Sequence, residues 1–283
     1  TPAPLSIAGS SATTIYNGAT QALASPTVSG VIAGDNVLVS TTGGAGTNAG
    51  NYSTSYATSG TDVANYIITA NTPTLTINKA SLVVGADNNG KVVTQTDPSP
   101  LTATVSGLQG SDTSSGVFVA PYGNYSVSRA AGESAGSYAI TASGPAALEN
   151  YNVTYTPGAF TIVPAGQLLV SSAGATTPYT VAANFANPTV AYATSGGAVI
   201  NNLHLTASAT VNGITTYTYS DGAGASLSFN FAPVNPVISG SNNLSVGTYG
   251  LSAANFQISG SNITNISPVV TGDLTVTPRP LTI

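Results

Sequence analysis

The chain has 283 residues, of which 4 are Lys or Arg, 9 are Asp or Glu, 1 is His and none is Cys, for a formal net charge of −5. No thiol, disulfide or zinc chemistry is available to it, four scattered cations do not suit a nucleic-acid partner, and so few acids and bases leave little to stage general acid–base catalysis. At 42% hydrophobic and nearly uncharged, the chain also lies outside the composition of disordered segments.

Alternating apolar and polar residues mark strands throughout, as in Tyr151, Val153, Tyr155 and in Leu227, Phe229, Phe231. In chain order, Ile15-Tyr16-Asn17-Gly18 is followed by Thr27-Val28-Ser29-Gly30 with Asp35, then by Gly50-Asn51-Tyr52, Asn65-Tyr66 and Leu75-Thr76-Ile77. Thr104-Val105-Ser106-Gly107 with Asp112 repeats the second landmark 77 residues on (104 − 27). Gly136-Ser137-Tyr138 repeats the third at 86 (136 − 50), and Asn150-Tyr151 and Phe160-Thr161-Ile162 repeat the last two at 85 (150 − 65, 160 − 75). Landmarks in one order at near-constant spacing are an internal repeat. A third stretch keeps Gly247-Thr248-Tyr249, Asn255-Phe256 in place of Asn-Tyr, and Leu274-Thr275-Val276, while its front from Gln167 to about Val237 has no clear counterpart.

Between landmarks, Asn89-Gly90 and Asp221-Gly222 read as hairpin turns, and Ser111–Val117 as one or two helical turns capped by Ser111 or Asp112. Short joints follow each closing strand, at Asn78-Lys79-Ala80 and Val163-Pro164-Ala165. The expected division is 1–78, 79–165 and a divergent 166–277, with 278–283 opening a further repeat. The expected fold is mainly β, in tandem small antiparallel modules, sandwich or β-grasp-like, set end to end as a rod. A single parallel β-helix does not fit, because its coils would repeat every 20–30 or so residues. The residues expected to carry the repeat are Tyr16, Gly18, Tyr52, Tyr66, Tyr138, Tyr151, Phe160 and Tyr249.

Six features imitate chemistry. Gly132-Glu133-Ser134-Ala135-Gly136 matches a nucleophile elbow, but a strand pattern follows it where a helix is needed, and it reads as a turn. His204 shares the polar face of a strand with Thr206 and Ser208. Gly43-Gly44-Ala45-Gly46-Thr47-Asn48 reads as a flexible loop and Asp87-Asn88-Asn89-Gly90 as a tight hairpin rather than calcium ligands, since neither gathers carboxylates. Lys79 and Lys91 are candidates for isopeptide links to Asn, with no acid placed to promote them. The six N-x-[ST] sequons at Asn51, Asn124, Asn152, Asn243, Asn262 and Asn265 match what this composition gives by chance.

Taken together, the landmarks resemble the glycine-rich YDG and MBG repeats of filamentous-haemagglutinin-like bacterial adhesins. The first segment resembles the YDG type through Tyr16-Asn17-Gly18-Ala19-Thr20. The second resembles the MBG type more closely, through Thr104–Leu108, Ser128–Glu133, Gly136–Thr141, Asn150–Tyr155 and Phe160–Ile162. It departs from the pattern at Lys91-Val92-Val93, where that family has Lys-x-Tyr-Gly. The resemblance implies an extracellular, non-enzymatic segment at the bacterial surface, structural or adhesive, exported with an outer-membrane secretion partner. It offers no catalytic residues to carry over, and the composition leads to the expectation of no cofactor and no metal. Two functions then compete: a stalk whose partners are neighbouring repeats, serving cell adhesion or biofilm, and a module in 166–277 that binds glycans or host proteins through Tyr192, Tyr217 and Tyr219.

Overall fold

A computed structural model describes residues 1–193, 199–200, 203–211, 213–260 and 268–279. The chain is mainly β, in small sheets. By packing it divides into two units: one of Thr1–Val83, Gly107–Tyr125 and Gly144–Thr154, the other of Val84–Ser106, Ser126–Ser143 and Tyr155–Ile283. The second sequence copy thus contributes to both. The expected further repeat at Leu281–Ile283 lies outside the described residues.

One ladder recurs in all three copies. In unit 1 the closing strand Thr74–Asn78 runs between the Gly-x-Tyr strand Gly50–Ser59, antiparallel, and the opening strand Ala12–Ile15, parallel. Leu75 faces Tyr52 on one side and Ala12 on the other, and Ile77 faces Gly50 and Thr14. In unit 2, Phe160 of Gly158–Val163 faces Tyr138 and Asn89, and Ile162 faces Gly136 and Lys91. Leu274 of Asp273–Thr277 faces Tyr249 and Ala175, and Val276 faces Gly247 and Thr177. The register is the same each time. Apolar residues alternate along each closing strand, and a one-residue slip would turn that face to water.

The parallel neighbour tempers the expectation of purely antiparallel modules. It arises because both ends of a copy change sheet together. Ala3–Ala8 pairs in parallel with Tyr66–Ala70, and after a short break each continues into the four-stranded sheet. Leu168–Ser171 and Val269–Thr271 repeat this in unit 2. The front of the third segment therefore has counterparts after all, in Leu168–Ser171 and Ala175–Pro178. They escaped the sequence comparison because pairing preserves register and apolar alternation rather than residue identity. What is new in that segment is the hairpin His204–Val211 with Ile214–Ser220, added at the edge of Ser226–Pro233. Asn255-Phe256 lies inside the strand Gly247–Ser259 and does not replace Asn65-Tyr66.

Other local expectations are corrected. The helix is one turn, Ser114–Val117, and Thr113 caps it by accepting from the Gly116 N–H, leaving Asp112 for another task. Asn89-Gly90 begins the strand Asn89–Val92, and Asp87–Gly90 is a passage between strands instead of a hairpin. There Asn88 donates to Asp273 and accepts from the Ala159 N–H. Gly43–Asn48 is no loop throughout, since Ala45-Gly46 pairs with Gln21-Ala22. Gly46 is required there: a Cβ would lie 2.0 Å from the Tyr52 ring. Asp221-Gly222 does turn a hairpin, with Asp221 Oδ1 accepting from Ala223 and Ala225 N–H.

Candidate functional site

The repeat landmarks meet in space in unit 1. The Tyr66 hydroxyl donates to Asp35 at 2.5 Å and accepts from the Ile32 N–H at 3.0 Å. The Tyr151 hydroxyl donates to Asp112 at 2.5 Å and accepts from the Gln109 N–H at 2.9 Å. Each Asn-Tyr tyrosine thus clasps the aspartate of its own Thr-Val-Ser-Gly segment. Asp112 accepts a second hydroxyl, that of Tyr16, at 2.9 Å, and the rings of Tyr16 and Tyr151 meet edge to face at 5.4 Å. Burial first, then the Asp112 carboxylate, pushes both of these phenols up; for Tyr66 the bond to Asp35 comes first.

Around Asp112 the first and second copies are joined further. Asn48 Nδ2 donates to Glu149 at 2.9 Å and Asn150 Oδ1 accepts from the Ala49 N–H at 2.8 Å; at the start of the second copy, Lys79 donates to the Leu148 carbonyl. Gly18, with φ of +77°, packs so closely that a Cβ would lie 2.9 Å from Gly110 Cα. Lys79 is thus engaged by a backbone oxygen, with no isopeptide chemistry implied.

The other Gly-x-Tyr tyrosines act alike in all three copies. The hydroxyls of Tyr52, Tyr138 and Tyr249 each donate, at 2.8 Å, to the carbonyl four residues earlier, of Asn48, Ser134 and Ser245. Each pins the loop that precedes its strand. Ser134 consequently lies in the hairpin between Ser126–Arg129 and Gly136–Ser143, with no helix after it. His204 is exposed at a strand start.

In unit 2, half of the chain's four basic residues gather with two acids. Lys91, 4% exposed, bridges Asp97 at 2.7 Å and Glu133, and Arg129 grips Asp97 through Nε at 2.6 Å and Nη2 at 3.1 Å and reaches Glu133 at 2.6 Å. Its Nη1 donates to the Ala130 and Gly132 carbonyls, so all five guanidinium donors are used. The guanidinium lies 4.7 Å from the centroid of the buried Phe160 ring and 5.7 Å from that of Tyr138. In the first copy, Thr14 occupies the register position of Lys91. Thr20 and Thr47, 77 residues before Asp97 and 86 before Glu133, share a 2.9 Å hydrogen bond. The quartet is a charged version of a neutral contact.

Its electrostatics oppose amide formation at Lys91, which needs a neutral amine and an un-ionised carbonyl partner. Burial pulls the amine down, but Asp97 and Glu133 outweigh it and hold it protonated. Arg129, then Lys91, holds the Asp97 carboxyl down at about 2. Lys91 first, then Arg129, depresses Glu133 as well. A carboxylate lowered on folding stabilises the fold above its unfolded pKa and loses that contribution as pH falls through the folded value. Stability to urea should therefore decline between about pH 4 and about pH 2, and Asp97→Asn should flatten that acid limb; an unchanged limb would show that the quartet adds nothing.

The proposed ligand-binding tyrosines are core residues. Tyr192, Tyr217 and Tyr219 are all under 5% exposed and pack with Phe229, Leu168 and Val170. Tyr219 donates to the Pro188 carbonyl and Tyr217 to that of Phe185. Only Tyr219 reaches a cleft wall, and with 2% of its surface exposed it presents no open ring face to a sugar. An open cleft of about 970 Å³ does lie in unit 2, bordered by Gln95, Asp97, Asn187, Thr189 and His204. Among the described residues no group of three or more His, Cys, Asp or Glu is placed to hold a metal.

Comparison with known proteins adds one family. A protein-family model described as MBG domain (YGX type) matches residues 82–161, within the second copy, and with it the clasp Asp112–Tyr151 and the quartet. None of the curated proteins matches the chain. Among solved structures, the I9–I11 tandem from titin is similar over 97% of this chain and 100% of that one, at 11% identity and a TM-score of 0.19. A likeness of that size fixes neither fold nor function. The repeat pattern and the MBG-domain match together describe a β repeat module of a larger protein.

Proposed function

We propose that this chain is a structural repeat segment of a large secreted bacterial adhesin, part of a stalk that carries load in cell-surface attachment or biofilm. The observation that supports it most is the ladder. In every copy, the strand by which the chain enters the sheet of the closing strand lies parallel and adjacent to the strand by which it leaves. Tension between the two ends of a copy then shears this pair, loading its hydrogen bonds together instead of one after another. The chain's polar chemistry is also spent inward, on clasps and the quartet. Export with an outer-membrane partner, an extracellular location and neighbouring repeats as partners belong to this proposal, as do the three modules 1–78, 79–165 and 166–277.

Solution scattering tests the stalk. Three modules set in line, as a stalk requires, should give a radius of gyration of about 30 Å, against about 19 Å for one globule of this length. A value near 19 Å would defeat the stalk. The second reading, a glycan- or protein-binding module, now rests on the cleft by Asp97 and His204. Glycan-array binding that disappears with Asn187→Ala would favour it.

A further inference from the structure

Two of the three copies carry an Asp–Tyr clasp, but the two differ in what they hold. Asp112 takes two tyrosine hydroxyls, one from its own copy and one, Tyr16, from the copy before. Asp35 takes one, from Tyr66. The surroundings otherwise correspond. The Asp35 N–H donates to the Ile32 carbonyl at 3.1 Å as that of Asp112 does to Gln109 at 3.0 Å, and the Ile32 and Gln109 N–H groups each donate to the clasp tyrosine. Asn65 stands 85 residues before Asn150, whose side chain accepts from Ala49 and donates to Asn48. In the first copy Asn65 is exposed, and beside it Val31 is 40% and Ile32 56% exposed, whereas Leu108 and Gln109 are half-buried.

We infer that the turn Ile32–Asp35, with Asn65 and Tyr66, is a docking socket for another copy of this repeat, which supplies a tyrosine hydroxyl to Asp35 and an Asn48-like loop to Asn65. The inference rests on reading the chain as part of a repeat array, and it names the contact by which a copy engages the next. The occupant is a copy of the repeat because the filled socket around Asp112 shows the mating parts: Tyr16 and the loop Asn48–Ala49. The chemistry fits too, since the socket offers a carboxylate acceptor and the plug a hydroxyl donor. One feature sets a limit. Ala33 stands where the second copy has Gly110, so the incoming turn must leave room for one methyl group.

The test uses the full chain carrying an additional segment, residues 3–79, joined ahead of Ala3. The new Lys79-Ala3 junction then reproduces the native Lys79-Ala80. Tyr16→Phe in the added segment and Asp35→Asn in the original first copy should together perturb the unfolding equilibrium roughly tenfold less than the product of their separate effects. Tyr16→Phe with Asp112→Asn in the unextended chain provides the same measurement on a filled socket. Additivity at Asp35 alongside coupling at Asp112 would overturn the socket and leave the array intact, whereas additivity at both would overturn the clasp as a joint. Should Asp35→Asn not fold, hydrogen exchange at residues 32–35 is read in the extended chain without substitutions. Slower exchange than in the unextended chain is expected, and equal rates would overturn the socket.

Discussion

Replacing Tyr151 by alanine is expected to cost about 3–5 kcal/mol, the range for truncating a fully buried aromatic. The side chain is 1% exposed, its ring meets Tyr16 edge to face, and its hydroxyl links Asp112 to the Gln109 amide. Alanine leaves a cavity, strips Asp112 of one donor and deprives the Gln109 N–H of its acceptor. Tyr151→Phe separates these effects: it keeps the ring and should cost about 1.5–3 kcal/mol, as for a hydrogen bond to a charged group. Urea unfolding followed by circular dichroism measures both. The repeat pattern alone implies that damage stays within one copy; the shared Asp112 implies that it spreads to the first, so Tyr16 should become more solvent-accessible in Tyr151→Ala. If Tyr151→Phe cost as much as Tyr151→Ala, the clasp would outweigh the ring, contrary to this account.

Phe229→Ala should have an effect of the same order in unit 2, about 3–5 kcal/mol. Phe229 has no exposed surface and lies among three rings, stacked at 8° on Tyr219 with centroids 6.0 Å apart, and 5.8 and 5.5 Å from those of Tyr217 and Phe231. Its strand, Ser226–Pro233, joins the added hairpin to the Gly-x-Tyr strand. Loss of the ring removes the packing that fixes Tyr217 and Tyr219, and their near-ultraviolet circular dichroism should collapse before the far-ultraviolet signal does. Burial pushes the Tyr219 phenol up to about 12, and Phe229→Ala should return it toward 10. A loss under about 1 kcal/mol would mean that the rings repack around the gap.

Much of this was legible in the sequence, for identifiable reasons. Period-two alternation follows directly from strand geometry, so Tyr151–Thr156 and Ser226–Pro233 were readable as strands. The spacing shift from 77 to 86 residues between the first two copies marks inserted chain, and the one-turn helix Ser114–Val117 falls within that interval. The eight tyrosine, glycine and phenylalanine landmarks were readable as repeating types, but their bonds were not. Nothing in the spacing of Asp35 and Tyr66, or of Lys91, Asp97, Arg129 and Glu133, says that they touch, because the chain returns are what bring Asp35 to Tyr66 and the Lys91–Asp97 segment to the Arg129–Glu133 hairpin. Asn89-Gly90 misled for the opposite reason. The dipeptide favours a turn locally, yet Gly90 is held in a strand where a Cβ would meet the Thr161 carbonyl at 2.5 Å. Tyr192, Tyr217 and Tyr219 misled because a buried and a ligand-facing tyrosine leave the same mark in a sequence.

If the chain serves as a stalk, each copy is expected to resist tension through the parallel pair at its ends. Single-molecule pulling along two directions tests it most directly, and a chain without cysteine accepts thiol handles at chosen positions only. Handles at the two chain ends load Ala12–Ile15 against Thr74–Asn78, and the corresponding pairs of the other copies, in shear. Handles at Asn36→Cys and Thr61→Cys open the antiparallel pair of Leu38–Gly43 and Gly50–Ser59 from its free end, one hydrogen-bonded pair at a time. The account predicts discrete unfolding steps at clearly higher force along the first direction than the second. Equal forces, or gradual extension without steps when the ends are pulled, would contradict it.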